Sequence, residues 1–202
     1  MVRSFDGRPV GAAVVDRVLD AARRVPSAGF SQGLDLVVLE GRDQTERYWG
    51  QAFPEPGARD AFRWPGLFAA PVLVMLVVHP GAYHERYAEA DKAGSALADP
   101  GRWSVPWWWV DGGMAALSVL LAAVDEGLGA LLFSVSRPEA VLASLGVPAG
   151  HRALACVALG HPAPDPPGRS ASRARRPFAD VVHRGHWSVS YTHLTLPTTP
   201  YV

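Results

Sequence analysis

The side chains in this sequence best suited to bind an anion are arginines at its two ends. Arg3 stands near the start, and a basic cluster lies near the end: Arg169, Arg173, Arg175 and Arg176. A guanidinium group pairs with phosphate through two parallel N–H donors. The loop of residues 26–29 consists of small and turn-forming residues, which let a backbone approach a flat ligand closely. Taken alone, these residues permit a phosphate-bearing ligand, but an arginine-rich loop is more often a solvated surface.

Other chemical signatures are absent or incomplete. Gly127 and Gly129 begin a GxG pattern, but Leu132 takes the place of the last glycine in the dinucleotide fingerprint. No phosphate-binding GxxxxGK[ST] loop and no GxSxG nucleophile elbow occurs. His183 and His186 have the spacing of a helical metal pair, but no third ligand is evident nearby. We therefore interpret them as surface histidines and predict no metal site.

The composition limits the class of protein. The 202 residues carry 19 basic and 19 acidic side chains. The chain therefore has no net positive charge with which to attract a nucleic acid or an anionic membrane. Cys156 is the single cysteine, which excludes an internal disulfide, and the N-terminal residues lack the pattern of a signal peptide. With 49% hydrophobic residues the chain can bury one core. We expect a single cytoplasmic domain.

One apolar segment must form the centre of the fold. Between Asp111 and Asp125 lie thirteen residues with no charge and no proline. The segment predicts a helix buried on every side, with Asp111 as N-cap and Gly127 just past the end. It is shorter than the roughly 18 to 20 residues that cross a bilayer, so we interpret it as a core helix. Its small residues, such as Gly112, would allow close approach of another backbone, from the same chain or from a second copy.

Further helices and strands are predicted from the hydrophobic periodicity and from the Gly- and Pro-containing turns between the periodic segments. We predict helices over residues 11–24, 42–49 and 138–145, and strands over residues 35–40, 72–78, 130–135 and 152–160. Residues 83–105 mix aromatic and charged side chains and could form a helical excursion over a pocket. The alternation indicates an α+β or α/β domain with a sheet between helices. Residues 188–202 are Thr-rich and unlike the rest, so we expect them to lie outside a domain of residues 1–187.

The order of several short motifs resembles the nitroreductase family of flavoenzymes over residues 1 to about 187. A basic residue stands two positions before an aromatic at Arg3, and a Pro-Ser loop leads to Gln32. The sequence Ala-Pro precedes the strand at 72–78, and the Ala- and Leu-rich segment 111–129 ends in Gly-Leu-Gly. The motifs Leu-Gly-His-Pro at 159–162, basic residues before Pro177 and Asp-Val-Val at 180–182 close the pattern. No single motif is specific, but their shared order is.

The resemblance implies an α+β fold with a mixed sheet packed between helices, and a homodimer with the central helix at its interface. It also implies bound FMN, held between two subunits. The implied phosphate ligands are Arg3, Arg173 and Arg175. The implied neighbours of the flavin are Pro26, Ser27, Ala28, Gln32 and backbone groups around Phe133 and Ser134. No catalytic side chain is implied, because hydride moves to and from the flavin itself.

Two departures from the family pattern affect the implied site. The family usually has a further arginine upstream of the position of Arg3, but the sequence begins at Met1, so we expect either that the true start lies upstream or that the chain is a fragment. Without that arginine, FMN binding should be roughly ten- to a hundredfold weaker. Phe30 replaces a common Asn, which predicts a more apolar substrate pocket. Trp107 and Trp108 either pack in the core and dimer interface or form a wall against which a planar substrate stacks.

The expected function is FMN-dependent transfer of hydride from NADH or NADPH to a small planar acceptor, a quinone or nitroaromatic, by a ping-pong mechanism. Three alternatives stay open at this stage. The first is a relative that uses flavin and oxygen, forms dimethylbenzimidazole, or dehydrogenates a peptide or deazaflavin precursor. The second is a non-catalytic flavin-binding dimer, and the third is an α+β dimer without a ligand.

Overall fold

A four-stranded antiparallel sheet carries the fold in the computed structural model, which describes residues 1–95, 97–168 and 170–187. Its strands are β1 (Leu34–Glu40), β2 (Val72–Val78), β3 (Gly129–Phe133) and β4 (Arg152–Gly160), in the spatial order β1-β2-β4-β3. All three pairings are antiparallel. The expected α+β fold is confirmed, whereas the expectation of a mixed sheet was wrong in the described residues.

Helices cover both faces of the sheet. The structure has α1 (Ala12–Arg23), α2 (Gly41–Ala52), α3 (Pro80–Ala88), α4 (Trp107–Asp125) and α5 (Pro138–Ser144). One face packs with α2 and α5 around Trp49, Met75 and Cys156. The opposite face packs with α1 and α4 around Val18, Val74 and Val119. Strand residues therefore alternate between the two cores, as the twofold period of a strand requires.

Two strands follow directly from the sequence. All seven residues of β2 are buried, which agrees with the uninterrupted apolar run, because this strand lies in the interior of the sheet and is covered on both faces. Strand β4 has the predicted bounds, 152–160. The helices predicted over 11–24 and 138–145 agree with α1 and α5 to within one residue at each end.

The central helix differs from its prediction in two respects. It begins at Trp107, after Pro106, so Asp111 is not its N-cap but a buried residue of the second turn. It is buried on one face and not on every side, because Leu117, Leu121 and Val124 are 55%, 62% and 69% exposed. Gly127 ends the helix as predicted, with φ 71° and the Leu128 N–H bonded to the Ala123 carbonyl at 2.8 Å.

The buried face of α4 uses its small residues for contact with the sheet of its own chain. A Cβ at Gly112 would lie 2.7 Å from Leu154 Cδ2 and 3.1 Å from Val78 Cγ1. On another side, Ser118 Oγ donates to the Ala21 carbonyl of α1 at 2.9 Å. Among the described residues, α4 is the one helix long and apolar enough to cross a membrane, and this packing is that of a core helix.

The chain divides into two compact units, 1–165 and 166–202. The first contains the sheet and all five helices. The described part of the second contains the 3₁₀ turn Phe178–Asp180, and in it Arg176 donates a hydrogen bond to the Asp180 carbonyl. The tail predicted to lie outside the fold, 188–202, falls outside the described residues.

Candidate functional site

A pocket of about 240 Å³ on the α2 side of the sheet brings together three of the predicted site residues: Arg3, Phe133 and Ser134. Its wall is largely aromatic, formed by Tyr48, Trp49, Phe53, Phe62, Trp64 and Phe133. Trp49 stacks on Phe133 with their rings 5.7 Å apart and inclined by 14°. The pocket therefore combines a flat apolar wall with one guanidinium group.

Backbone pairing on both sides fixes Arg3 at this pocket. The Val2 N–H donates to the Ala130 carbonyl at 3.0 Å, and the Phe5 N–H donates to the Gly66 carbonyl at 3.1 Å. The Arg3 N–H itself donates to Asp165 Oδ2 at 2.8 Å, and that oxygen lies 4.0 Å from Arg3 Nη1. Although Arg3 is near the chain end, these hydrogen bonds fix the backbone around it and so position its side chain at the pocket.

The donors at the pocket fit the cofactor that the sequence implies. The indole N–H groups of Trp49 and Trp64 are buried and have no hydrogen-bond partner among the described residues. The Arg3 guanidinium and the hydroxyls of Ser134 and Ser136 offer N–H and O–H donors beside an apolar wall. Such a set suits an anionic, largely flat ligand such as FMN. The volume is below the roughly 300–1,000 Å³ of ordinary ligand pockets.

The second predicted element, the loop that contains Pro26, Ser27, Ala28 and Gln32, has a constrained backbone. It forms the 3₁₀ turn Ala28–Phe30, and the Gln32 N–H donates to Ser27 Oγ at 3.0 Å. Phe30 and Gln32 have φ angles of 58° and 51°, in the left-handed region that side chains other than Asn and Gly rarely occupy. Residues held in this region cluster at functional sites when the surroundings fix them.

Asp111 is a functional candidate that the sequence analysis missed, and it helps to fix this loop. Asp111 is only 3% exposed. Its Oδ2 atom accepts hydrogen bonds from the Ala28 N–H at 2.8 Å and from the Tyr83 hydroxyl at 2.7 Å. Burial, and secondarily the hydrogen bond to Asp111, raises the pKa of Tyr83, so its hydroxyl stays a donor. A lone carboxylate in an apolar helix was the signal available in the sequence.

Helix α3 holds the loop from another direction. Arg86 Nε donates to the Gly29 carbonyl at 2.9 Å, and the same guanidinium forms two hydrogen bonds of 2.7 Å with Asp91. A Cβ at Gly29 would lie 2.9 Å from the Tyr87 ring, so the loop packs closely against α3. This helix occupies the start of the segment predicted as a helical excursion.

The loop and the pocket lie on opposite sides of the sheet within one chain. Val2 and Phe133 pack into the core beside α2, whereas Val25 and Leu34, which flank the loop, pack into the core beside α4. None of Pro26, Ser27, Ala28 and Gln32 lines the pocket. A single chain therefore does not assemble the two predicted halves of the site.

The predicted substrate-pocket residues do not line this pocket either. Trp108 packs against Tyr83 and Trp103, with ring centroids 6.0 and 5.8 Å away, and Trp107 is half-buried. Phe30 is 72% exposed. Their contact with a substrate stays a prediction. So does the phosphate-binding role of Arg173 and Arg175, which belong to the second unit.

A larger groove of about 700 Å³ lies elsewhere on the first unit, where β1 meets α2. It contains none of the predicted site residues, and its charged side chains include Arg59 and Glu46, which pair with each other at 2.8 Å.

Comparison with known sequences identifies the family. Residues 1–161, more than three quarters of the chain, match the sequence model of the nitroreductase family. The chain belongs to the nitroreductase family. A relative from Thermus thermophilus named NADH dehydrogenase is 32% identical over 169 residues, which cover 80% of this chain and 82% of that protein. A second, from Methanothermobacter thermautotrophicus, is 27% identical over 170 residues, covering 82% and 74%, and its name joins NADH dehydrogenase to NAD(P)H nitroreductase.

Solved structures of nitroreductase family proteins share the fold. One from Clostridium difficile superposes with a TM-score of 0.66 and 16% identity, covering 92% of this chain and 93% of its own. Another, from Streptococcus pneumoniae, has a TM-score of 0.68 and 17% identity, covering 91% and 94%. The nitroreductase fold expected from the motif order is therefore confirmed.

Proposed function

We propose that the protein is an FMN-dependent NAD(P)H oxidoreductase that reduces a small planar acceptor, of the quinone or nitroaromatic type, by a ping-pong mechanism. Membership of the nitroreductase family and relatives named for NADH dehydrogenase and NAD(P)H nitroreductase support an NAD(P)H oxidoreductase. The observation that carries the FMN assignment is the pocket that joins Arg3 to Phe133 and Ser134.

The residues of the chain bind and orient in this proposal. Arg3 pairs with the cofactor phosphate, together with Arg173 and Arg175. Backbone groups around Phe133 and Ser134 border the isoalloxazine edge, where an N–H group stabilises negative charge. When bound, FMN supplies the hydride-transfer chemistry, so no side chain acts as an essential acid or base.

The proposed enzyme is a homodimer in which each site takes its pocket from one subunit and its loop from the other. Two observations support this assembly. The loop and the pocket lie on opposite sides of the sheet in one chain. In addition, α4 leaves an apolar stripe exposed, formed by Val110, Leu117, Leu121 and Val124. Exposed contiguous apolar side chains mark interaction surfaces.

The first test is the visible spectrum of the purified protein, followed by identification of the flavin released on denaturation. We expect FMN, and we expect NADH or NADPH oxidation that depends on an added quinone or nitroaromatic. Initial rates at several fixed acceptor concentrations should give parallel double-reciprocal lines. FMN-loaded protein that does not oxidise NADH or NADPH with any such acceptor would contradict the proposed activity. Product analysis under air would detect the alternative oxygen-dependent chemistry.

A further inference from the structure

We propose that Arg63 is a further ligand of the cofactor phosphate, in addition to Arg3, Arg173 and Arg175, an assignment that rests on the proposed function. Arg63 belongs to the irregular segment before β2 and is absent from the motifs that carry the family resemblance. It is an exposed residue whose guanidinium lies over the indole of Trp64, with Cζ 5.1 Å from the ring centroid. Trp64 is a wall residue of the pocket that contains Arg3.

The same indole contacts both arginines. The Cζ atom of Arg3 lies 5.3 Å from the centroid of the Trp64 ring, nearly the same distance as that of Arg63. Stacking on an aromatic face restricts a guanidinium group while leaving its own N–H groups free to donate. Trp64, which lines the pocket with Arg3, thus restricts both of these bidentate donors.

The charge balance around Arg3 shows why an unpaired guanidinium nearby would strengthen phosphate binding. Asp165 accepts the Arg3 backbone N–H at 2.8 Å and lies 4.0 Å from its guanidinium, so Arg3 and Asp165 together carry no net charge. A phosphate monoester brings a charge of about −1.5 to −2 at neutral pH. Arg3 alone therefore offers the phosphate little net charge, and a guanidinium that no carboxylate neutralises would add to the contribution proposed for Arg173 and Arg175.

Arg63 meets this requirement, and a nearby arginine does not. Among the described residues, no carboxylate forms an ion pair with Arg63. Arg59, four residues earlier, also lies over an aromatic ring, that of Phe68, at 5.8 Å. Its guanidinium, however, pairs with Glu46 at 2.8 Å and borders the separate 700 Å³ groove. Arg59 is therefore a matched control: the same residue type stacked on a ring in the same segment, but with its charge already paired.

The test compares binding of FMN with binding of riboflavin, which lacks the phosphate, by flavin fluorescence titration of the full chain. We expect the wild type to prefer FMN. Arg63→Gln should weaken FMN binding by about tenfold or more while leaving riboflavin binding unchanged, because a charge-assisted hydrogen bond is lost. Arg59→Gln should retain the wild-type preference, and Arg63→Lys should recover part of it because it retains the charge.

Each outcome separates this assignment from the proposed function. If the wild type prefers FMN and Arg63→Gln keeps the full preference, Arg63 is not a phosphate ligand, while the flavoenzyme proposal stands. Equal weakening of FMN and riboflavin in Arg63→Gln would mean that Arg63 acts through packing on Trp64, and this too would overturn the assignment. Wild-type protein that binds neither flavin would overturn both proposals.

Discussion

The Tyr83 hydroxyl of α3 donates a hydrogen bond of 2.7 Å to the Asp111 carboxylate of α4, deep beside the loop of residues 26–32. The same carboxylate oxygen holds the Ala28 N–H at 2.8 Å. The buried Asp111 carboxylate therefore connects α3 and α4 to the loop of residues 26–32, which the proposed function places beside the flavin. A buried carboxylate is stable only when such partners compensate for its lost hydration.

Tyr83→Phe should loosen this loop. The substitution removes one of the two hydrogen bonds to the buried carboxylate with little change in volume, and such a bond is worth about 1.5–3 kcal/mol. We expect a loss of that size in the free energy of unfolding, measured by urea denaturation. Limited proteolysis should also cut within residues 26–32 more rapidly than in the wild type.

Tyr87→Phe is the control for that experiment. Tyr87 is on the same helix and is 5% exposed, but its hydroxyl forms no hydrogen bond with the described residues. We expect a smaller loss of stability and wild-type proteolysis of the loop. Equal effects of the two substitutions would show that the hydrogen bond to Asp111 does not hold the loop.

Leu117→Glu combined with Leu121→Glu should convert the proposed dimer to monomers. Both leucines are more than half exposed in the single chain, so the new carboxylates cost the folded monomer little, but a dimer would have to bury them. We expect a monomeric mass by light scattering and loss of bound FMN. Ala143→Glu, at an exposed position of α5, adds a carboxylate away from the stripe and should leave the mass unchanged. A double variant that remains dimeric would place the interface elsewhere.

Glu126→Gln should reduce the loss of stability in acid. Two hydrogen bonds from Arg17, at 2.6 and 2.7 Å, lower the pKa of Glu126 below its ordinary 4.5. Because the folded-state pKa is lowered, the ion pair stabilises the fold above about pH 4.5, and this contribution is lost as the pH falls through the folded-state value. Thermal unfolding from about pH 6 to about pH 3 should show a smaller decrease for the variant. Glu55→Gln, which removes an exposed carboxylate outside any ion pair of the described residues, should follow the wild type.

Cys156 should react with thiol reagents only when the sheet opens. Its side chain is fully buried in β4 opposite Met75, and burial raises the pKa of the thiol. The thiolate that would react is therefore disfavoured in the folded protein. We expect no labelling by a chromogenic disulfide reagent in native buffer, and complete labelling in denaturant. Rapid native labelling would mean that β2 and β4 separate far more readily than a central strand pair should.

The sequence predicted elements with local signals and missed those that depend on distant contacts. Strands β2 and β4 were predicted because continuous apolar residues need no partner to be recognised. Helix α3 begins at Pro80, three residues before the segment predicted as a helical excursion, because proline is favoured in the first turn of a helix. Gly41, with φ 74°, similarly begins α2 one residue before the predicted start.

For the site, three residues that the motif order implies, Arg3, Phe133 and Ser134, line one pocket, and their contact with a cofactor stays a prediction. The role of Asp111 could not be predicted, because its partners Tyr83 and Ala28 are 28 and 83 residues away in sequence. From the local sequence alone, an acidic residue before an apolar segment is interpreted as a helix N-cap. Only the packing of α3, α4 and the loop shows that it is a buried acceptor.

The separation of loop and pocket by the sheet has a genetic consequence for the proposed dimer. A subunit with a defective pocket still contributes its loop, and a subunit with a defective loop still contributes its pocket. When two such alleles are expressed together, mixed dimers contain one site built entirely from intact halves and one built entirely from damaged halves. Two inactive genes with lesions on opposite sides of the sheet would then complement each other, whereas two lesions on the same side would not.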